Sequence, residues 1–406
     1  MRLDEMERLV REQTKPVEGV EEVLLRAAAG RVIAKDIAAR LDLPPFDNSA
    51  VDGFAVRHAD IAAGDTRLTV VDRVTAGHTA THAVGPDEAV RIFTGAPMPA
   101  GADTVVMQEH ARVAGDSVTV PALPAGANRR RAGEDVAKGS VLLPAGRKLA
   151  AADVALAASQ GFATLPVRRR VEVALFSTGD EVTEPGHPLA PGGIHDANRY
   201  LLMALLARPG VGVHDLGILE DDPAVLGPAL EKAADAHDLV VTSGGVSSGE
   251  ADHVRAAVER SGSLTVRQLD VKPGRPLGMG TLIGANGGRA IFLGLPGNPV
   301  AAFVSFAFVM RPLLACLAGA TPPVLLPRTV RASFAHKKKP GRREFLRATL
   351  RLAGDGVVEA EKHPNGGSGA VVSLAESDGL VVLSEETAAV EPGMPVAFLS
   401  YAEITT

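Results

Sequence analysis

The first residues, 1–13, are charged throughout. Residues 21–29 then place Val23, Leu24, Leu25 and Ala28 at helical spacing and stop at Gly30, so the pattern predicts a short helix there. Between residues 46 and 143 the texture changes to brief β-rich runs at 67–74, 89–93, 104–108 and 117–120. Gly, Pro and Asp turns divide them, which predicts a small all-β module. Helical character returns at 151–160. From 171 the apolar runs alternate in kind. Strands are expected at 171–176, 211–216, 239–242 and 290–295, with helices at 198–208, 224–236, 252–260 and from 300 onward. The strand at 171–176 is apolar without interruption, as in a strand covered on both faces. Such alternation predicts a doubly wound, mostly parallel α/β sheet. Thr321-Pro322-Pro323 ends it, and the remaining chain has short β runs with no clear helix, which suggests a C-terminal β domain.

Composition narrows the chemistry. The 406 residues include 43 Gly and 28 Pro but one Cys and no Trp, so a disulfide framework and a Cys-ligated metal site within one chain are excluded. With 42 Lys and Arg against 48 Asp and Glu, the net charge is −6, the wrong balance for a broad nucleic-acid surface. The most apolar stretch, 300–317, is interrupted by Arg311 and Pro312. It reads as short of the roughly 18 uninterrupted apolar residues of a membrane span. A cytoplasmic protein is the expectation.

Ligands of parallel α/β sheets bind beyond the carboxyl ends of the strands. Three such ends share a composition: Ser177-Thr178-Gly179-Asp180-Glu181, then Ser243-Gly244-Gly245-Val246-Ser247-Ser248-Gly249-Glu250-Ala251-Asp252, then Pro296-Gly297-Asn298-Pro299. Glycine lets backbone N–H groups approach an anion, and a following helix N-terminus adds a positive dipole end. Carboxylates in or near these loops (Asp180, Glu181, Asp221, Asp222, Glu250, Asp252) suit a hard divalent cation such as Mg²⁺. Asp221, Asp222 and Asp252 serve equally well as helix N-caps. Lys272, in Val271-Lys272-Pro273-Gly274, offers a point charge to an oxyanion or is a solvated turn lysine. Residues 328–351 hold nine Lys or Arg and one acid, Glu344. This reads either as an anion-facing surface or as a charged edge that blocks strand pairing. Gly245-Val246-Ser247-Ser248-Gly249 also matches the nucleophile elbow of serine hydrolases, with few histidines left to act as base.

Taken in order, several stretches resemble the molybdopterin molybdenumtransferase family, bacterial MoeA and the E domain of gephyrin. They are 47–56 (Asp-Asn-Ser-Ala-Val-Asp-Gly-Phe-Ala-Val), 94–99 (Thr-Gly-Ala-Pro-Met-Pro), Gly133-Glu134-Asp135, Ser177 to Glu181, Ser243 to Asp252, Lys272-Pro273-Gly274 and 294–299. The resemblance implies multidomain α/β plus β architecture. A discontinuous linker domain would take 1–47 with 141–169, an inserted β module 48–140, the α/β domain 170–320 and the C-terminal β domain 324–406. It also implies a homodimer whose active sites are shared between chains. The reaction would insert molybdenum from molybdate into adenylated molybdopterin with loss of AMP.

By the same resemblance Glu181, Asp221 and Asp252 take catalytic and Mg²⁺ roles, and Asp52, Thr94 and Asp135 are functional positions of the β module. Ser177, Thr178, Gly179, Asp180, Ser243, Gly244, Gly245, Ser247, Gly249, Pro296, Gly297, Asn298 and Pro299 would bind the pterin substrate. Lys272, Pro273, Arg343 and Ser368 would bind molybdate. Read without the family, Asp52 is a hairpin-turn residue and Asp135 a turn ion pair with Arg129–Arg131. One departure stands out: Gln268 occupies a position where family members often carry a second lysine, leaving Arg267 or Arg275 to compensate. A pterin adenylyltransferase, whose α/β domain is related, and a non-catalytic cofactor-binding scaffold are the competing readings. Apo-molybdoenzymes and an adenylyltransferase are the implied partners.

Overall fold

The computed structural model describes residues 1–62, 65–245 and 253–405. They form two compact units. The first comprises 1–34, 146–151 and 164–406; the second, 35–145 and 152–163.

At the centre of the first unit is a six-stranded sheet. Its order is Val211–Leu219, Val171–Thr178, Leu239–Ser243, Arg289–Leu295, Pro276–Ile283 and Gly262–Gln268. The first four strands are parallel, as the alternation predicts; the last two join antiparallel. Those two were not legible in the sequence, because Gly278, Gly280 and Gly262 dilute their apolar alternation. Successive residues of each strand face opposite sides. Val173, Leu175, Val241 and Leu293 pack on one face with Leu202, Leu206 and Phe306. Ala174, Phe176, Val240 and Phe292 pack on the other with Leu226, Leu230 and Val254. Both faces are therefore covered, which is why these strands read as continuous apolar runs.

The helix expected at 21–29 is not one. Val20–Leu24 is a strand paired antiparallel with Thr164–Arg168, followed by one 3₁₀ turn at Leu25–Ala27. Pairing to a distant strand overrides the local spacing. The first helix is instead Leu3–Gln13, which buries Leu3, Met6 and Val10 on one stripe.

Residues 299–317 form one helical run, Pro299–Ser305, Phe306–Met310 and Arg311–Leu317, with a π-helical middle. Pro312 lies in the first turn of the last segment, where it does not interrupt the run. By length and composition this helix could cross a membrane, contrary to the sequence reading, but 89% of it is buried inside the protein. Its apolar character is explained by core packing.

After residue 321 the chain builds a second six-stranded sheet. Arg343–Leu352 pairs with both Val358–Lys362 and Gly379–Leu383, closing a barrel-like ring through Arg328–Ala332 and Pro395–Ser400. Two short helices not expected there, Val372–Ala375 and Tyr401–Thr405, accompany it. The sixth strand comes from far upstream: Val271–Lys272 pairs in parallel with Arg343–Glu344.

In the second unit a six-stranded sheet runs in the order Thr104–Met107, Gly53–Val56, Glu88–Ile92, Thr66–Val74, Ser117–Val120 and Arg112–Ala114. All four predicted β runs are strands. Gln160 ties this unit together, its Oε1 accepting from Arg40 N and Leu41 N at 2.8 and 2.9 Å.

Candidate functional site

The carboxyl ends of two of the parallel strands line a cleft of about 550 Å³, and the third expected loop, Ser177 to Glu181, is not among its lining residues. Gly244 and Gly245 line it from one loop and Pro296, Gly297 and Asn298 from the next. Opposite them are Lys272, Pro273, Gly274 and Arg275, and the barrel adds Arg342, Glu344, Arg347 and Ser368.

The loops hold one another. Asn198 opens the helix Asn198–Leu206, and its Nδ2 donates to Ser243 Oγ and to Gly297 O, both at 2.7 Å. One buried amide thus sets the spacing between two strand-end loops. Gly245 has φ +65°, and a Cβ there would lie 2.6 Å from Val254 Cγ2, so both conformation and space demand glycine. Gly179 (φ +132°) is similar: a Cβ would meet Glu181 Oε2 at 2.7 Å, since that carboxylate folds back over its own loop.

Several polar atoms here lack a hydrogen-bond partner among the described residues. Ser177 Oγ, Thr178 Oγ1, Thr242 Oγ1 and Asp221 Oδ1 are buried and unsatisfied. Such groups cost free energy unless a ligand completes them. Burial raises the Asp221 carboxyl above its ordinary range; His253 opposes this, and the charges of Asp180 and Glu181 add to it. The neighbouring Asp222, in contrast, is the N-cap of Pro223–Ala236, accepting from Ala224 N at 2.7 Å. Of the three candidate caps, capping thus accounts for Asp222 and leaves Asp221 with an empty oxygen. Ser247, Gly249, Glu250 and Asp252 lie outside the described residues, as does most of the Gly-x-Ser-x-Gly run. Among the described residues no three His, Cys, Asp or Glu side chains gather closely enough to hold a metal ion by themselves.

On the basic wall, Lys272 Nζ pairs with Glu344 Oε1 at 2.8 Å. Arg343 does not line the cleft. It pairs with Glu385 at 3.2 Å and Asp4 at 3.3 Å, while its neighbour Arg342 takes the place beside the cavity. Arg342 lies in the bend just before the strand Arg343–Leu352, so a one-residue step between bend and strand start decides which arginine meets a ligand. Arg347 was missed as well. It is buried and donates to Ser373 Oγ, Asn365 O and Gly367 O, all at 3.0 Å. It thereby shapes the loop that carries Ser368, whose carbonyl accepts from Val300 N at the start of the long helix. Arg275 lines the cleft and Gln268 does not, so of the two compensating arginines Arg275 has the right location.

In the second unit, Asp52 Oδ1 accepts from both Thr94 N and Thr94 Oγ1 at 2.8 Å. These bonds hold the Asp52 carboxyl below its ordinary value. Both oxygens of Asp135 accept from Arg130 Nη2 at 2.6 Å, the turn ion pair the sequence allowed.

Fold and cleft together define a multidomain α/β protein with a cation-bearing pocket at glycine-rich strand ends. Comparison with known families agrees. Residues 1–161 match the MoeA N-terminal region (domain I and II), 174–315 a probable molybdopterin binding domain and 329–401 the MoeA C-terminal region (domain IV). The molybdopterin molybdenumtransferase of Haemophilus influenzae is 39% identical over 378 residues, covering 92% of this chain and 91% of that one. That of Bacillus subtilis is 33% identical over 390 residues, covering 93% and 89%. The crystal structure of the molybdopterin biosynthesis moeA protein from Pyrococcus horikoshii OT3 superposes with a TM-score of 0.81 at 29% identity, over 99% of this chain and 100% of that one. The chain belongs to the molybdopterin molybdenumtransferase family. Its role is enzymatic and lies in molybdenum cofactor biosynthesis.

Proposed function

We propose that this enzyme transfers molybdenum from molybdate to the dithiolene of adenylated molybdopterin and releases AMP. The observation that carries this reading is the make-up of one cleft. Glycine-rich strand ends suited to a phosphoanhydride stand across from a clasp of Lys272, Arg275, Arg342 and Ser368 suited to an oxyanion. The phosphoanhydride P–O bond breaks, water supplies the new oxygen and AMP leaves; the two dithiolene sulfurs replace two oxygens of molybdate, which take up protons and leave as water. Ser177, Thr178, Asp180, Ser243 and Pro299 border the pterin nucleotide, together with the Gly244-Gly245 and Pro296–Asn298 loops. Pro273 shapes the loop that presents Lys272.

Mg²⁺ fits this site. Asp221 has an unsatisfied buried oxygen and feels the charges of Asp180 and Glu181, oxygen groups of the kind a hard cation takes once phosphate oxygens complete the set. Glu181 and Asp221 would hold it with phosphate oxygens and Asp252, and its chemistry is to offset negative charge on the phosphoanhydride. Glu181 orients the water.

The protein works as a cytoplasmic homodimer, with Asp52, Thr94 and Asp135 of one subunit completing the cleft of the other. In that arrangement the second unit divides into the inserted module, 48–140, and a share of the linker domain, 1–47 with 141–169. The α/β domain, 170–320, and the C-terminal domain, 324–406, make the cleft itself. An adenylyltransferase and apo-molybdoenzymes are the partners expected before and after it.

The test is AMP release from adenylated molybdopterin. AMP should appear only when molybdate and Mg²⁺ are both present, and the product should reconstitute an apo-molybdoenzyme. Consumption of ATP with release of pyrophosphate would assign an adenylyltransferase instead. Tight binding without turnover, equally lost in Glu181→Gln, would assign a carrier.

A further inference from the structure

A second cavity of the first unit, about 580 Å³, shares no lining residue with the cleft. Its walls include Leu149, Leu314, Leu325 and Leu326, and its polar complement is dominated by cations: Lys148, Arg208 and Arg311 all line it. Glu403 also lines it, but that carboxylate is engaged by Ser400 N and Oγ at 3.2 and 2.7 Å.

The two arginines are held in an unusual way. Arg208 donates to the carbonyls of Leu205 and Thr405, and Arg311 to those of Glu403 and Pro323. None of these is a carboxylate. Arg311 is 6% exposed, and its Nε is buried with no partner among the described residues. Burial opposes the charge of both guanidinium groups, and Arg208 and Arg311 repel one another; Glu7 offsets this for Arg311 only in part. A buried cation, Arg311, beside a half-buried one, Arg208, is costly without an anion, and neither has a carboxylate hydrogen-bond partner among the described residues, so the site is matched to something negative. At the mouth, Val324 and Leu326 are 71% and 72% exposed, an apolar rim of the sort that covers the body of a ligand.

We propose that this cavity binds a small amphiphilic anion, a phosphate monoester or carboxylate carrying an apolar body. Its anionic group meets Arg208 and Arg311, and its apolar part lies along Leu314, Leu325 and Leu326. The volume falls within the usual range of small-molecule sites.

Isothermal titration of the full-length protein with octyl phosphate, below its micellar concentration, tests this. Octyl phosphate and octanoate distinguish the two anionic groups. Inorganic phosphate supplies charge without body, and octanol supplies body without charge. One site per chain for either amphiphile, and binding at least about tenfold weaker for inorganic phosphate and for octanol, is the expected result. Arg208→Met should weaken binding by a similar factor. Leu326→Glu, on the exposed rim, does so without touching the core, which keeps the test valid if the arginine variant folds poorly. Equal affinity for octanol, or unchanged affinity in Leu326→Glu, would overturn the proposal. So would binding that appears only on dilution to monomers, which would mean that a second copy of the chain covers this face.

Discussion

Lys272 Nζ and Glu344 Oε1 lie 2.8 Å apart, joining a residue 62% exposed in its side chain to one 6% exposed. The pair joins the connection between two strands of the α/β sheet, Gly262–Gln268 and Pro276–Ile283, to the start of the barrel strand Arg343–Leu352. Glu344 also has His336 Nε2 at 3.3 Å from its other oxygen. Burial alone would raise the Glu344 carboxyl; Lys272 and His336 outweigh it and hold the group below its ordinary 4.5. A depressed folded-state value means stabilisation that is complete above about pH 4.5 and is lost as pH falls through that lower value. Thermal melts of the wild type and Glu344→Gln should therefore differ most at neutral pH, by about 1 kcal/mol given solvent screening of Lys272, and converge in acid. A gap that stays constant with pH would remove the ionic role.

Arg342 and Arg343 are expected to behave differently. Arg342→Ala should raise the molybdate concentration needed for AMP release by about tenfold, the loss of one charge-assisted contact. Arg343→Ala should leave that requirement unchanged and lower the melting temperature, because Glu385 loses the nearer of its two arginines and Asp4 loses its partner at 3.3 Å. The reverse outcome would return the anion contact to Arg343.

Asn198→Ala removes the donor that joins Ser243 to Gly297. Two buried hydrogen bonds are lost, so a stability decrease of about 1–3 kcal/mol and a fall in turnover of about tenfold are expected. Turnover that survives the stability loss would show that the two loops keep their spacing without it.

Asp221 titrates against its surroundings in the opposite sense to Glu344. Its raised value means that the ionised carboxyl is a burden, absent well below pH 3.8 and present in full above its folded-state value. Without Mg²⁺, Asp221→Asn should melt higher than the wild type at neutral pH. With Mg²⁺, only the wild type should gain stability, and the variant should need about tenfold more Mg²⁺ for AMP release. Equal Mg²⁺ stabilisation of both proteins would remove Asp221 from the metal site.

Sharing of active sites between subunits can be read from mixtures. Asp52→Asn and Glu181→Gln are each expected to be inactive as pure dimers. After unfolding and joint refolding, half of the dimers are mixed and each carries one intact site, so about a quarter of wild-type activity should return. No recovery would place both residues in one chain's own site.

The parts of this protein that local chemistry dictates were legible before any coordinates. Strands buried on both faces announce themselves as apolar runs, and Gly244-Gly245 marks its loop because both positions take a backbone conformation that side chains avoid. What escaped depends on partners distant in sequence. Val20–Leu24 reads as a helix until Thr164–Arg168 pairs with it. Asp221 and Asp222 look alike as caps until one is seen to cap and the other to lack a partner. Arg342 and Arg343 differ only in that one lies in the bend before the strand and the other opens it. Arg347 and Asn198 carry no motif at all, since they act by holding loops whose neighbours in the chain are far away.

The two-residue strand Val271–Lys272 has a bearing on assembly order. Its backbone partners, Arg343 and Glu344, are made some seventy positions later, so the oxyanion clasp cannot close while the barrel is unfinished. A chain cut before Arg328 would retain the whole parallel sheet yet lack both the strand partner of Lys272 and the counter-charge that fixes its amine. The barrel is thus no appendage. It is the last component of the cleft to be synthesised, and the step that turns a nucleotide-sized fold into one equipped for a second anion.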